Sequence, residues 1–115
     1  MDHIKKFLID EVIDGSTFVG WLDLGLDVKI RKKIRLLNVR CHNTKVDSGR
    51  EAKIFVEQLI KDKDVYCRTF KDRYRKWNTV LGVLYIQSDE GQSINLNDML
   101  VDKSFAISTG DSFRE

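Results

Sequence analysis

The chain has 115 residues, 42% apolar and 33% charged, with a formal net charge of +2. That length holds one hydrophobic core and excludes a second, and the ordinary apolar fraction excludes wholesale disorder. The near-balance of charge is no argument for nucleic acid by itself, and no run approaches the ~20 apolar residues that span a bilayer.

Met1 to Phe7 carries no apolar core of signal-peptide length, so a cytoplasmic setting without membrane contact is expected. Lys5 to Ile13 predicts a first strand, Asp14-Gly15 a tight turn, and Thr17 to Leu24 a second strand. After a turn at Gly25-Leu26-Asp27, Val28, Ile30, Ile34 and Leu36 alternate with Lys29, Arg31, Lys33 and Arg35, the period of a third strand. Lys32 interrupts the apolar face, which predicts a bulge or an exposed strand end. Asn43 to Ser48 reads as a loop, and Ser48 with Glu51 as a capping box. Ala52, Phe55, Val56, Leu59 and Ile60 then recur at helical spacing, giving a helix over about 49–61. Asp64 to Phe70 and Val80 to Gln87 predict two more strands, joined by the basic and aromatic stretch 71–79. Ser88 to Ser93 reads as a turn, Asn97 as the cap of a short helix carrying Leu100 and Val101, and the polar stretch from Ser108 as a loose tail.

This order predicts a mainly β (α+β) fold: a five-stranded Greek-key barrel of the OB type, with one capping helix and a short second helix. Residues 1–115 read as a single domain, with 108–115 as a flexible tail.

Charge distribution says more than net charge. Lys29, Arg31, Lys32, Lys33 and Arg35 fall within seven residues, and Arg73, Arg75 and Lys76 within four. Such runs read either as solvated faces or as two sides of a phosphate-facing groove. Tyr74 and Trp77 among the second run suit base stacking, or equally packing on arginine stems. Trp21, inside a strand, reads as core or barrel rim. Cys41 and Cys67 make no zinc spacing with His3 or His42, so reduced structural thiols are expected.

Two segments carry a resemblance to a known family. Val12-Ile13-Asp14-Gly15-Ser16-Thr17 and Arg35-Leu36-Leu37-Asn38-Val39-Arg40-Cys41-His42-Asn43 resemble the active-site segments of the staphylococcal nuclease-like (thermonuclease) family, usually V-I-D-G-D-T and R-L-x-x-[IV]-D-x-P-E. Gly49-Arg50-Glu51-Ala52 is similar to the opening of that family's first helix, and Leu96 to Val101 to its second. The likeness runs from about Phe7 to Ala106.

The resemblance implies a phosphodiesterase plan: two aspartates holding calcium, a glutamate serving the attacking water, and two arginines on the phosphate. On that plan this chain departs at three acids. The calcium aspartates correspond to Ser16 and Arg40, and the glutamate to Asn43; His42 stands where the family has proline. A fixed guanidinium repels a dication, and an amide takes no proton at useful pH. Arg35 matches the first phosphate arginine; Lys76 beside Trp77 is the nearest counterpart of the second, with Arg75 the alternative.

Catalytic residues are therefore not expected, and neither is a metal or cofactor; calcium belongs only to the rival enzyme reading. Asp14 is expected either to pair with Arg40, bridging the two segments, or to serve the turn alone. His42 reads as a loop histidine rather than a base. The leading expectation is a catalytically degenerate nuclease-like domain that binds nucleic acid, DNA or RNA and preferably single-stranded, through Lys33, Arg35, Arg40, Arg73, Tyr74, Arg75, Lys76 and Trp77. Two rivals stay open: an active nuclease with a rebuilt metal site, and a protein-interaction or regulatory factor, of a phage for instance, on the same scaffold. The oligomeric state and the natural ligand are not encoded in any motif.

Overall fold

A computed structural model describes residues 4–70 and 79–109. Strands β1 (Ile4–Asp14), β2 (Thr17–Gly25) and β3 (Val28–Leu36) form an antiparallel meander. Alternation decides their faces: Phe18, Gly20 and Leu22 of β2 and Ile34 and Leu36 of β3 are buried, while Lys29, Arg31, Lys33 and Arg35 are exposed. Lys32 causes no bulge; it pairs with Gly20 in continuous register. The register shifts lie elsewhere, between Ile9 and Glu11 and between Val12 and Asp14 of β1, and between Asp23 and Gly25 of β2. The β2–β3 turn carries Leu26 and Asp27 at φ 54° and 65°, both left-handed as a type I′ turn requires.

After a two-residue strand β4 (Val39–Arg40), helix α1 (Asp47–Ile60) closes one side of the barrel. It buries Gly49, Ala52 and Val56, with Phe55, Leu59 and Ile60 packed against the core. The expected capping box is not formed. The helix starts earlier, with Val46 at the cap position and no side-chain cap, so Ser48 already lies in the first turn. Its hydroxyl instead meets His42 Nδ1 at 2.6 Å.

Strand β5 (Val65–Phe70) pairs antiparallel with β1 and with β6 (Thr79–Gln87). β6 then runs parallel to β3, from Lys33 beside Thr79 to Leu36 beside Gly82. That pairing closes a five-stranded mixed barrel of OB type and removes the free edges of β3 and β6 along those residues. Phe7, Phe18, Ile34, Cys67, Leu84 and Ile86 fill it.

Three short elements differ from expectation. Ser93 begins strand β7 (Ser93–Asn95), paired with β6, rather than ending a turn. Asn95, not Asn97, caps α2 (Leu96–Asp102), accepting a hydrogen bond from the Asp98 amide at 3.1 Å. Ser108 lies in β8 (Ile107–Ser108), which pairs with β4, and the Thr109 amide donates to the Asn38 carbonyl. The described start of the expected tail is thus tied to β4 and to the loop before it. Among the described residues no helix is long and apolar enough to cross a membrane.

Candidate functional site

The two segments singled out in the sequence meet at Ser16. Its amide donates to Asp14 Oδ1 at 2.8 Å and its hydroxyl to the same oxygen at 3.2 Å. The hydroxyl oxygen accepts from the Cys41 amide at 3.1 Å, and the Ser16 carbonyl accepts from the Leu36 amide at 3.0 Å. Ser16 is buried, so each of these bonds replaces one to water. Close approach underlies the joint: a Cβ on Gly15 would fall 2.7 Å from Cys41 Sγ and 2.9 Å from Ala52 Cβ.

The expected Asp14–Arg40 pair is not formed; among the described residues no hydrogen bond or ion pair joins them. Local geometry explains this. Neighbouring residues of an extended segment point to opposite sides, and Cys41 points inward against Gly15, so Arg40 points out. Ser16 performs the bridging instead. Arg40 stands on β4 opposite Ile107, exposed, beside a cleft of about 350 Å³ that His42, Ser48 and Glu51 help to wall.

Asn43 closes a local turn, its side-chain oxygen accepting from the Lys45 amide at 2.9 Å. α1 packs directly on it: a Cβ on Gly49 would lie 1.8 Å from the Asn43 carbonyl oxygen. This position therefore directs the chain into the helix. Among the described residues no group of three or more His, Cys, Asp or Glu side chains is gathered to hold a metal ion.

Lys33 and Arg35 project from the outer face of β3, in register with Val19 and Thr17 on one side and Thr79 and Leu81 on the other. Among the described residues, Lys33, Arg35 and Arg40 have no carboxylate within ion-pair distance. Arg35 precedes the residue whose amide bonds the Ser16 carbonyl, and Arg40 precedes the one whose amide bonds the Ser16 hydroxyl. Ser16 thus draws both into one neighbourhood. Arg73, Tyr74, Arg75, Lys76 and Trp77 lie outside the described residues; the connection that holds them ends at Thr79, beside Lys33.

Both cysteines are free and buried. Burial first, then the nearby Asp14 charge, pushes the Cys41 thiol up to about 11, against a lowering hydrogen bond from Ser16. Burial pushes Cys67 up to about 12, with Lys5 pulling the other way. Neither is a thiolate nucleophile near neutrality. An acid whose folded pKa is raised leaves the unfolded chain as the better proton donor, so stability falls as pH rises through the unfolded value, about 8.5. Urea unfolding is expected to show stability flat from pH 6 to 8 and declining from pH 9 to 11, with Cys67→Val flattening part of the decline.

Sequence reasoning missed Asn97. It is buried within α2, where Oδ1 accepts from the Leu84 amide at 3.1 Å. Its Nδ2 donates to the Leu37 carbonyl at 3.1 Å and the Gly82 carbonyl at 3.2 Å. One side chain thus fixes the exit of β3 and the middle of β6 under the site. Trp21 was also misplaced: it is 38% exposed, on the outer face. The inward parity of Phe18 and Leu22 would have revealed it.

The closed five-stranded mixed barrel with its two helices matches the OB-like fold of the nuclease-like domains. Residues 33–112 match the model of the family described as staphylococcal nuclease homologue, and the chain belongs to that family. The matched stretch contains Arg35 to Asn43 and begins after the Asp14 turn. No functionally curated protein matches the chain. Membership points to a nuclease-like or nucleic-acid-related function.

Proposed function

We propose that this domain binds single-stranded nucleic acid on a cationic surface and does not hydrolyse it by the calcium chemistry of its family. The observation that carries this reading is the trio Lys33, Arg35 and Arg40, exposed and without carboxylate partners among the described residues, with Arg35 and Arg40 each one residue before a main-chain amide bonded to Ser16. A phosphate backbone rewards unpaired cations, and each contact releases a counterion.

Calcium takes six to eight oxygen ligands, mostly carboxylate or carbonyl. The corresponding positions offer a hydroxyl bonded to Asp14 and Cys41, an outward guanidinium, and an amide that closes a turn. These donors do not fit calcium, and Asp14 is the carboxylate left at the joint. Arg73, Arg75 and Lys76 add cations to the connection ending beside Lys33, and Tyr74 and Trp77 add rings that stack on bases.

Fluorescence anisotropy of a labelled oligonucleotide at graded salt tests the reading. With three phosphate contacts the slope of log affinity on log salt is about −2, and with six about −4. Between 50 and 200 mM salt the affinity then falls by roughly 20- to 250-fold. A slope of zero, or no binding at low salt, contradicts it.

A further inference from the structure

Outside the Ser16 joint, one exposed cluster on the barrel wall has a fixed geometry. The register shift between Ile9 and Glu11 leaves Asp10 as the extra residue of a bulge in β1. A bulge re-aims its side chain, and here Asp10 reaches across the outer face of the sheet. Its Oδ2 accepts from the indole nitrogen of Trp21 at 3.2 Å and from Arg31 Nε at 3.1 Å. Trp21 and Arg31 are register partners on β2 and β3. One carboxylate oxygen therefore holds an exposed indole and a guanidinium on adjacent strands.

We infer that Trp21 is a base-stacking platform for the same strand that Lys33 and Arg35 hold by its phosphates. This inference rests on the nucleic-acid reading and extends it to residues on the barrel wall that the family plan does not include. Lys29, Arg31, Lys33 and Arg35 run along one face of β3, and Arg31 and Arg35 stand four residues apart, ~13 Å along the strand. A single strand lying along this row meets cations at Lys33 and Arg35 and an indole at its far end. The hydrogen bond to Asp10 restrains the ring before the strand arrives, so little rotamer freedom is lost on binding. The charge row favours a polyanion over an apolar partner, and a ring face accepts any base.

The test uses the full chain labelled with 5-fluorotryptophan, the Trp21 fluorine resonance being assigned by its loss in Trp21→Phe. An octathymidylate probe is expected to shift that resonance, and a dinucleotide, too short to reach from Arg35, to leave it in place. By anisotropy, Trp21→Leu is expected to bind the octamer about 10-fold more weakly and Trp21→Phe within about twofold of the parent, since stacking needs a ring. Matching melting temperatures of the two variants separate this from lost packing. Octamer binding with an unmoved Trp21 resonance and an unchanged Trp21→Leu affinity overturns the inference and leaves the nucleic-acid reading standing. No octamer binding by the parent chain overturns both.

Discussion

Replacing Asn97 with alanine is expected to lower the unfolding free energy by about 3 kcal/mol, read from urea titration by circular dichroism. The side chain is buried and makes three hydrogen bonds to main chain. Truncation strands the buried Leu84 amide and takes a donor from the part-buried Leu37 carbonyl. The Gly82 carbonyl loses less, because it also accepts from the Leu37 amide at 2.8 Å. A stranded buried group costs roughly 1–3 kcal/mol, and the bonds lost to the two carbonyls add to it, which sets the scale. Asn97→Asp offers no rescue: it keeps the acceptor for Leu84, removes both donors, and brings a carboxylate into contact with two carbonyl oxygens. Asn95→Ala removes an exposed cap and should cost only about 1 kcal/mol. Equal losses at 95 and 97 would contradict the tie that Asn97 makes between α2, β6 and the end of β3.

The second large effect concerns binding. Reversing two charges together, Lys33→Glu with Arg35→Glu, is expected to weaken oligonucleotide affinity by roughly 100-fold at 0.1 M salt. At ~4 Å in water-like surroundings a unit charge pair is worth about 1 kcal/mol, and reversal turns each attraction into a repulsion of similar size. The four-kilocalorie swing this implies is trimmed by salt screening to roughly 3 kcal/mol, or about two decades. Both side chains are exposed, and the pairing of β3 with β2 and β6 is main-chain bonding, so the melting temperature should move by little. An unchanged affinity would remove β3 from the interface. A collapse of stability would make the binding loss uninterpretable as electrostatics and count against the placement of these side chains.

The elements built on local periodicity are legible in the chain. Period-two alternation in Val28 to Leu36 identifies β3 and its cationic face, and helical spacing from Ala52 to Ile60 identifies the buried stripe of α1. What escapes is set by partners distant in sequence. Lys32 pairs with Gly20 in unbroken register, a partner its own neighbours do not reveal. Asn97 resembles a cap because capping is a local motif, whereas its true partners lie up to sixty positions away. Arg40 beside a retained Asp14 suggests an ion pair by charge alone. The inward Cys41 next to it decides otherwise, and Ser16 takes the bridging role that composition would assign to charges. The β4–β8 pair is too short to announce itself by pattern.

The site shows the same division. What Ser16, Arg40 and Asn43 do is not legible from their identities alone. Ser16 ties the β1–β2 turn to the Cys41 segment, and Asn43 turns the chain into α1. Both side chains thus hold main chain in place. Ser16→Asp would place a second carboxylate against Asp14 and remove the short hydroxyl bridge between two buried segments.

A domain that binds strands through fixed cations alone needs no metal for binding. The decisive titration measures oligonucleotide affinity in chelator and again in millimolar calcium, with the strand recovered and sized afterwards. Binding that needs no calcium, with affinity no higher in calcium than in chelator, and an intact strand are the predicted result. Calcium-dependent shortening of the strand, abolished by chelator, would contradict it.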